Sequence, residues 1–170
     1  MSRLGMMLAR CSLALVNAAS KMQTLQVRLL AGEVKDGIEH FEPYGYTSNP
    51  HPGAEGVAAF FGGDRSHGVV LCIADRRFRL KGLKPGEVAL YTDEGDCLHF
   101  KRGRVIEVET ATLRVTASTA VEFDTPVIRT TGRIESDGDQ IAAGVSQISH
   151  PHSDVQPGDG QTGAPIPQGG

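Results

Sequence analysis

The chain has 170 residues, 39% hydrophobic and 5% aromatic, with 21 Gly, 9 Pro and no Trp. That length holds one domain, or one domain with extensions, and the Gly and Pro load falls short of a collagen-like or low-complexity composition. Seventeen Lys and Arg against 20 Asp and Glu give a net charge of −3, which argues against a general nucleic-acid coat.

All nine aromatic residues lie between Phe41 and Phe123, eight of them before residue 101. One large core running the length of the chain is therefore not expected. The charge is also uneven: eight basic residues fall between Arg76 and Arg104, and none lies from Ile134 to Gly170. Cys11, Cys72 and Cys97 have an odd count and no CxxC spacing. They read as reduced thiols, neither a disulfide framework nor a metal site. No run approaches the ~18 apolar residues that span a bilayer.

Residues 1–20 have Leu4, Met7, Leu8, Cys11 and Leu15 at steps of three and four, which predicts an amphipathic helix. A signal peptide is the alternative, but Arg10 interrupts its apolar region.

Residues 21–95 carry the signals of a small β domain. Leu25, Val27 and Leu29 alternate, and residues 39–46 are aromatic-rich. Val57 to Phe61 and Val69 to Ala74 are apolar runs joined by the Gly-flanked loop GGDRSHG, a hairpin pattern. The basic stretch from Arg76 to Lys81 reads as a strand with a basic outer face. Lys84-Pro85-Gly86-Glu87 is a turn into a strand at Val88 to Tyr91. Five or six short strands suit a small Greek-key barrel of the OB type, with a generic β-sandwich as the alternative.

Residues 96–149 change character. Fifteen of the 32 residues from Arg104 to Glu135 are Val, Ile or Thr, a strand-forming composition. Their apolar anchors are short: Ile106/Val108, Leu113/Val115, Val121/Phe123, Ile128 and Ile134. The links between them lack the Asn-Gly or Gly-X pairs that close tight hairpins. A single layer of such stubs cannot bury itself, whereas three copies wound about one axis can. An intertwined trimeric β-helix is the expected fold, and an extended meander stacked on the barrel is its rival.

Residues 150–170 form a Pro- and Gly-rich end opened by His150-Pro151-His152. In extended chain, positions i and i+2 point the same way, so both imidazoles face one side. Pro151 biases His150 toward an extended conformation. Three chains would offer six imidazoles, a donor set that suits octahedral iron or nickel better than tetrahedral zinc. A pair of solvated loop histidines is the bland alternative. Gly158-Asp159-Gly160-Gln161-Thr162-Gly163 matches GxGxxG, yet it lacks the strand-to-helix context of dinucleotide binding. No P-loop, HExxH or nucleophile elbow is present, and His40, His51, His67 and His99 have no recognisable nucleophile partner.

The run from Lys21 to Val34, the loop Gly62 to Gly68 and the segment Asp75 to Val88 resemble the Mu-type phage baseplate spike proteins (baseplate assembly protein V family). The order of barrel, Val/Thr-rich stretch and terminal His-x-His carries the likeness along nearly the whole chain. The resemblance implies a virion protein: a homotrimeric, non-enzymatic central spike at the tip of a contractile tail's baseplate. Such a spike is made in the host cytoplasm and punctures the host outer membrane during contraction and genome ejection. It further implies that His150 and His152 of three chains hold one iron ion on the three-fold axis, with zinc or nickel as alternatives. The N-terminal segment would face the baseplate hub, and nucleic acid would not be a partner. The short Val/Thr-rich stretch predicts a stubby spike. Two other readings compete with it, an oligonucleotide-binding OB protein and a small HxH metalloenzyme. The first would need aromatic stacking platforms among its basic residues, and the second would need further ligands after His152.

Overall fold

The computed structural model describes residues 7–150 together with Ser153, Gly158 and Gly160. It is mainly β, and its only helical segments among the described residues are two three-residue 3-10 turns, Leu30–Gly32 and Phe61–Gly63. By its contacts the chain divides after Val115 into two units.

The first unit opens with a closed five-stranded barrel. Its strands are β1 (Leu8–Asn17), β2 (Thr24–Arg28), β3 (Val34–His40), β4 (Glu55–Phe60) and β5 (Gly68–Ala74). They are hydrogen-bonded in the order β1-β2-β3-β5-β4, with β4 returning to β1. All pairs are antiparallel except β3 and β5. This is the small, OB-like Greek-key closure expected from the strand pattern, and it leaves no free edge in the ring.

Among the described residues of the 1–20 segment the expected helix is not formed; residues 8–17 are strand β1, and residues 1–6 lie outside the described residues. Cys11 and Leu13 alternate into the core, with Ala9 packed against it. A bulge between Leu13 and Leu15 then shifts the inward position to Val16. Leu8 and Leu15, the residues that suggested a helical stripe, are exposed. Period two with one bulge imitates steps of three and four over such a short stretch.

The core holds Cys11, Leu13, Leu25, Val27, Leu29, Ile38, Ala54, Ala58, Phe60 and Val70. Burial pushes the Cys11 thiol upward, which keeps it protonated and inert. Gly56 is required where three strands crowd: a Cβ there would lie 2.6 Å from Ile73 Cδ1 and 2.7 Å from the Cys72 carbonyl oxygen. His40 is the one buried polar residue among the described residues, with its Nδ1 3.0 Å from Gln23 Oε1. The Gln23 amide donates to the Ser48 carbonyl at 2.8 Å, tying the 41–54 loop to the barrel wall.

The segment from Arg76 to Phe78 is a turn, not the basic strand expected. Its charges are spent locally. Arg76 pairs with Glu55 at 2.6 Å, and Arg77 pairs with Asp75 while donating to the Pro52 carbonyl at 2.9 Å. His51 Nε2 lies 2.9 Å from Asp93 Oδ2, and its ring packs at 5.3 Å from that of Phe78.

A separate antiparallel sheet follows, with strands β6 (Val88–Tyr91), β7 (Cys97–Lys101) and β8 (Val105–Glu109) in chain order. Glu87 fastens its base. It accepts the backbone N–H groups of Lys84 at 2.9 Å and Arg102 at 3.1 Å, and its Oε2 lies 3.2 Å from His99 Nε2.

In the second unit, residues 116–140 form no strand. A short hairpin then joins β9 (Ile141–Ala142) to β10 (Val145–Ser146). Ala143 and Gly144 both have positive φ, 49° and 82°, the conformation of a tight two-residue turn.

Candidate functional site

Two features stand out in the described residues: the exposed apolar face of the β6–β8 sheet and the hairpin leading to His150.

Register explains the first. Val88 pairs with Phe100 and Phe100 with Ile106; Leu90 pairs with Leu98 and Leu98 with Val108. Directly opposed residues share a face, and so do residues two apart along a strand. All six apolar side chains therefore lie on one side of the sheet. Ala89, Tyr91, Cys97, His99, Lys101, Val105, Glu107 and Glu109 occupy the other side, where Lys101 and Glu107 pair and polar residues alternate with Tyr91, Cys97 and Val105. Of the apolar six, Val88, Leu90, Phe100, Ile106 and Val108 are exposed. Leu113 and Val115 continue the series to the end of the first unit, also exposed.

The second unit repeats the pattern. Val121, Phe123, Val127, Ile128, Ile134, Ile141, Val145 and Ile148 are all exposed large hydrophobics. Soluble monomers seldom leave so continuous a series in water. The meander expected as the rival reading would have required a ladder between residues 110 and 140, and the chain forms none there.

The hairpin is organised by Asp139. One carboxylate oxygen, Oδ1, accepts the backbone N–H groups of Gln147 at 3.0 Å and Ile148 at 3.3 Å. The Ser146 hydroxyl and the backbone N–H groups of Ile148, Gln147 and Gln140 outweigh desolvation and hold the Asp139 carboxyl below the usual carboxylate range. Ser146 in turn accepts the Ser149 N–H on its Oγ at 2.8 Å, and its carbonyl oxygen lies 2.6 Å from His150 Nδ1. A carbonyl oxygen has no proton to give, so Nδ1 is the donor in that contact. In the neutral imidazole this tautomer carries its lone pair on Nε2.

Of the two expected metal ligands, His150 is thus placed at the end of an ordered turn, whereas His152 lies outside the described residues. Bonding of Nδ1 to a backbone carbonyl is the usual outer-shell arrangement of a metal-ligating histidine, so the residue fits that role. No group of three or more His, Cys, Asp or Glu side chains that could hold a metal ion gathers anywhere among the described residues, at His150 included. Neither Asp139 nor Ser146 stood out in the sequence. An isolated Asp seven residues before a Ser carries no motif, and only the intervening hairpin brings them together.

The remaining histidines sit in structural contacts. His40 faces Gln23, His51 faces Asp93, His99 faces Glu87, and His67 stacks on Phe61 at 5.0 Å. The three cysteines are unpaired, with Cys11 buried and Cys72 exposed.

Comparison with known proteins agrees with this architecture. The family model described as "Bacteriophage Mu Gp45, N-terminal" matches residues 10–77, which span the barrel. The "Baseplate puncturing device gp45" of Escherichia phage Mu is 38% identical over 136 residues, 79% of this chain and 68% of that protein. The "Mu-like prophage FluMu protein gp45" of Haemophilus influenzae is 33% identical over 176 aligned positions, 96% of this chain and 92% of that protein. Neither name is that of an enzyme. Identity of 38% and 33% to these two proteins, over 68% and 92% of their lengths, makes this chain a member of the phage Mu gp45 family.

Proposed function

We propose that the chain is the central puncturing spike of a phage-type tail baseplate, acting as a homotrimer without catalytic activity. The carrying observation is the one-sided apolar face of β6–β8, exposed in the single chain. The name of the phage Mu relative, a baseplate puncturing device, supports the setting.

The mechanical logic follows from the parts. Each barrel folds around its own core. Beyond it the apolar stubs have no interior of their own, and three chains wound together supply one. The open edges of β6 and β8 would then be paired or covered by neighbouring chains, and a rod without free edges resists peeling under axial load. In this reading the N-terminal side meets the baseplate hub, and the C-terminal end meets the host outer membrane when the tail contracts.

His150 and His152 of the three chains would hold a metal ion, iron in our reading with zinc or nickel as alternatives. When bound, that ion would supply six-fold cross-linking of three chain ends that carry no aromatic residue after Phe123. His150 contributes an imidazole oriented by the Ser146 carbonyl. The Pro- and Gly-rich end would then need little side-chain packing of its own.

Sedimentation equilibrium of the full chain tests the reading. A single species at three times the 18.1 kDa chain mass is expected. A monomer at micromolar concentration overturns it.

A further inference from the structure

We infer that Asp139 and Ser146 form a positioning clasp that fixes the tautomer and direction of His150, and that this clasp governs how tightly the chain end holds a metal ion. The second half rests on the reading of His150 as a metal ligand; the first half stands on the hydrogen bonds alone.

The argument begins at the turn. Ala143 adopts a positive φ without being glycine, a conformation that crowds the Cβ of any L residue against the following carbonyl. A two-residue ladder, Val145 with Ala142 and Ser146 with Ile141, is too short to hold such a turn by itself. Asp139 adds the missing restraints. Its carboxylate receives two consecutive N–H groups, those of Gln147 and Ile148, from the strand leaving the turn. The Gln147 N–H also reaches the Gln140 carbonyl at 3.0 Å, so the two chain segments are joined beyond the ladder.

Ser146 relays this order to the histidine through both ends of the residue. Its hydroxyl oxygen receives the Ser149 N–H at 2.8 Å, which bends the chain back over Ser146, while Asp139 holds the two residues in between, Gln147 and Ile148. Its carbonyl then meets His150 Nδ1 four residues on. Without Asp139 the bend loses the acceptor for Gln147 and Ile148, and the His150 ring loses its fixed proton donor geometry. Outer-shell partners of ligating histidines typically govern affinity by about 10–100-fold.

The test uses the purified full chain and three variants, Asp139→Ala, Asp139→Asn and Ser146→Ala. The first readout needs no metal: the ring ¹⁵N shifts of His150 in the chelator-treated protein. Wild type and Asp139→Asn are expected to show the Nδ1-protonated form, because the Asn amide oxygen still accepts both N–H groups. Asp139→Ala is expected to revert to a mixture of tautomers. The second readout is competition for added Fe(II) against a chelator, repeated with Co(II) to follow the ligand-field spectrum. Asp139→Ala is expected to weaken binding about 10–100-fold, Ser146→Ala less, and Asp139→Asn by no more than a few-fold.

Unchanged tautomer and unchanged affinity in Asp139→Ala overturn the inference. If Asp139→Ala does not fold, Ser146→Ala decides, and wild-type behaviour in both readouts overturns it. A wild type that shows the Nδ1-protonated ring yet takes up no Fe(II) or Co(II) overturns the metal reading and the clasp's control of affinity. In that outcome the clasp's control of the tautomer stands.

Discussion

Ile106 pairs directly with Phe100 across the β7–β8 ladder, and the two side chains are 62% and 42% exposed. In an ordinary monomer, replacing an exposed strand residue changes stability by about 0.5 kcal/mol or less. Ile106→Asp is expected to behave differently. In the proposed trimer a carboxylate on this face would be desolvated without a partner, so assembly should fail while each barrel stays folded. Size-exclusion chromatography with light scattering reads the loss of trimer, and near-ultraviolet circular dichroism reads the retained barrel. Trimers of unchanged mass and stability would show that this face is not shared.

Gly56 gives the opposite prediction, confined to one chain. Its missing side chain leaves room for Ile73 Cδ1 and for the backbone carbonyl of Cys72, with Cys11 Sγ 3.2 Å from where a Cβ would stand. The carbonyl belongs to the neighbouring β5 strand and cannot rotate away, so Gly56→Ala must spread the barrel wall. Overpacking of this kind costs about 1–3 kcal/mol. Urea denaturation followed by the barrel's circular dichroism should register it. Metal content, read by elemental analysis, should not change.

Those two positions mark what sequence patterns could and could not convey. The β4–β5 hairpin was legible because Gly62, Gly63 and Gly68 flank its loop and both runs are apolar. Strand β1 was misread because Leu8, Cys11 and Leu15 recur at steps of three and four although only Cys11 of the three points inward, the chain alternating through Cys11 and Leu13 and then, past the bulge, Val16. Nothing local announces a bulge. His150 and the short apolar stubs of the Val/Thr-rich stretch, exposed in the single chain, could be picked out from spacing and composition. Asp139 could not, because its partners are set by a hairpin whose first turn residue, Ala143, gives no turn signal.

Glu87 predicts acid sensitivity at the base of the β6–β8 sheet. The backbone N–H groups of Lys84 and Arg102, joined by His99, hold its carboxyl below the usual carboxylate range despite desolvation. A carboxyl with a depressed folded pKa contributes stability above its unfolded value, about 4.3 for Glu. That contribution is lost as pH falls through the folded value. The window therefore lies below about pH 4.3, and neutral or alkaline pH leaves the contribution intact. Urea midpoints at pH 7 and pH 3 should differ less for Glu87→Gln than for wild type. The difference should not vanish, because Glu42, Asp64, Asp75 and Asp139 are depressed as well. An identical difference in both proteins would remove Glu87 from the acid response.

The paired substitution His150→Ala with His152→Ala separates the tip from the rest. The barrel owes nothing to these residues, since its core runs from Cys11 to Val70. The shared apolar faces also precede them along the chain. The variant is therefore expected to remain a trimer with a wild-type barrel, to contain no stoichiometric metal, and to lose protease resistance only near its C-terminus. Limited proteolysis with mass spectrometry locates the first cuts, and elemental analysis counts the metal. Chelator treatment of wild type should reproduce the same cuts, because metal binding and local order at the chain end are one equilibrium. Stoichiometric metal retained in the double variant would place the ion on other ligands. Cuts in β6–β8 rather than near residue 150 would mean that the ion stabilises the whole shared segment, not its tip alone.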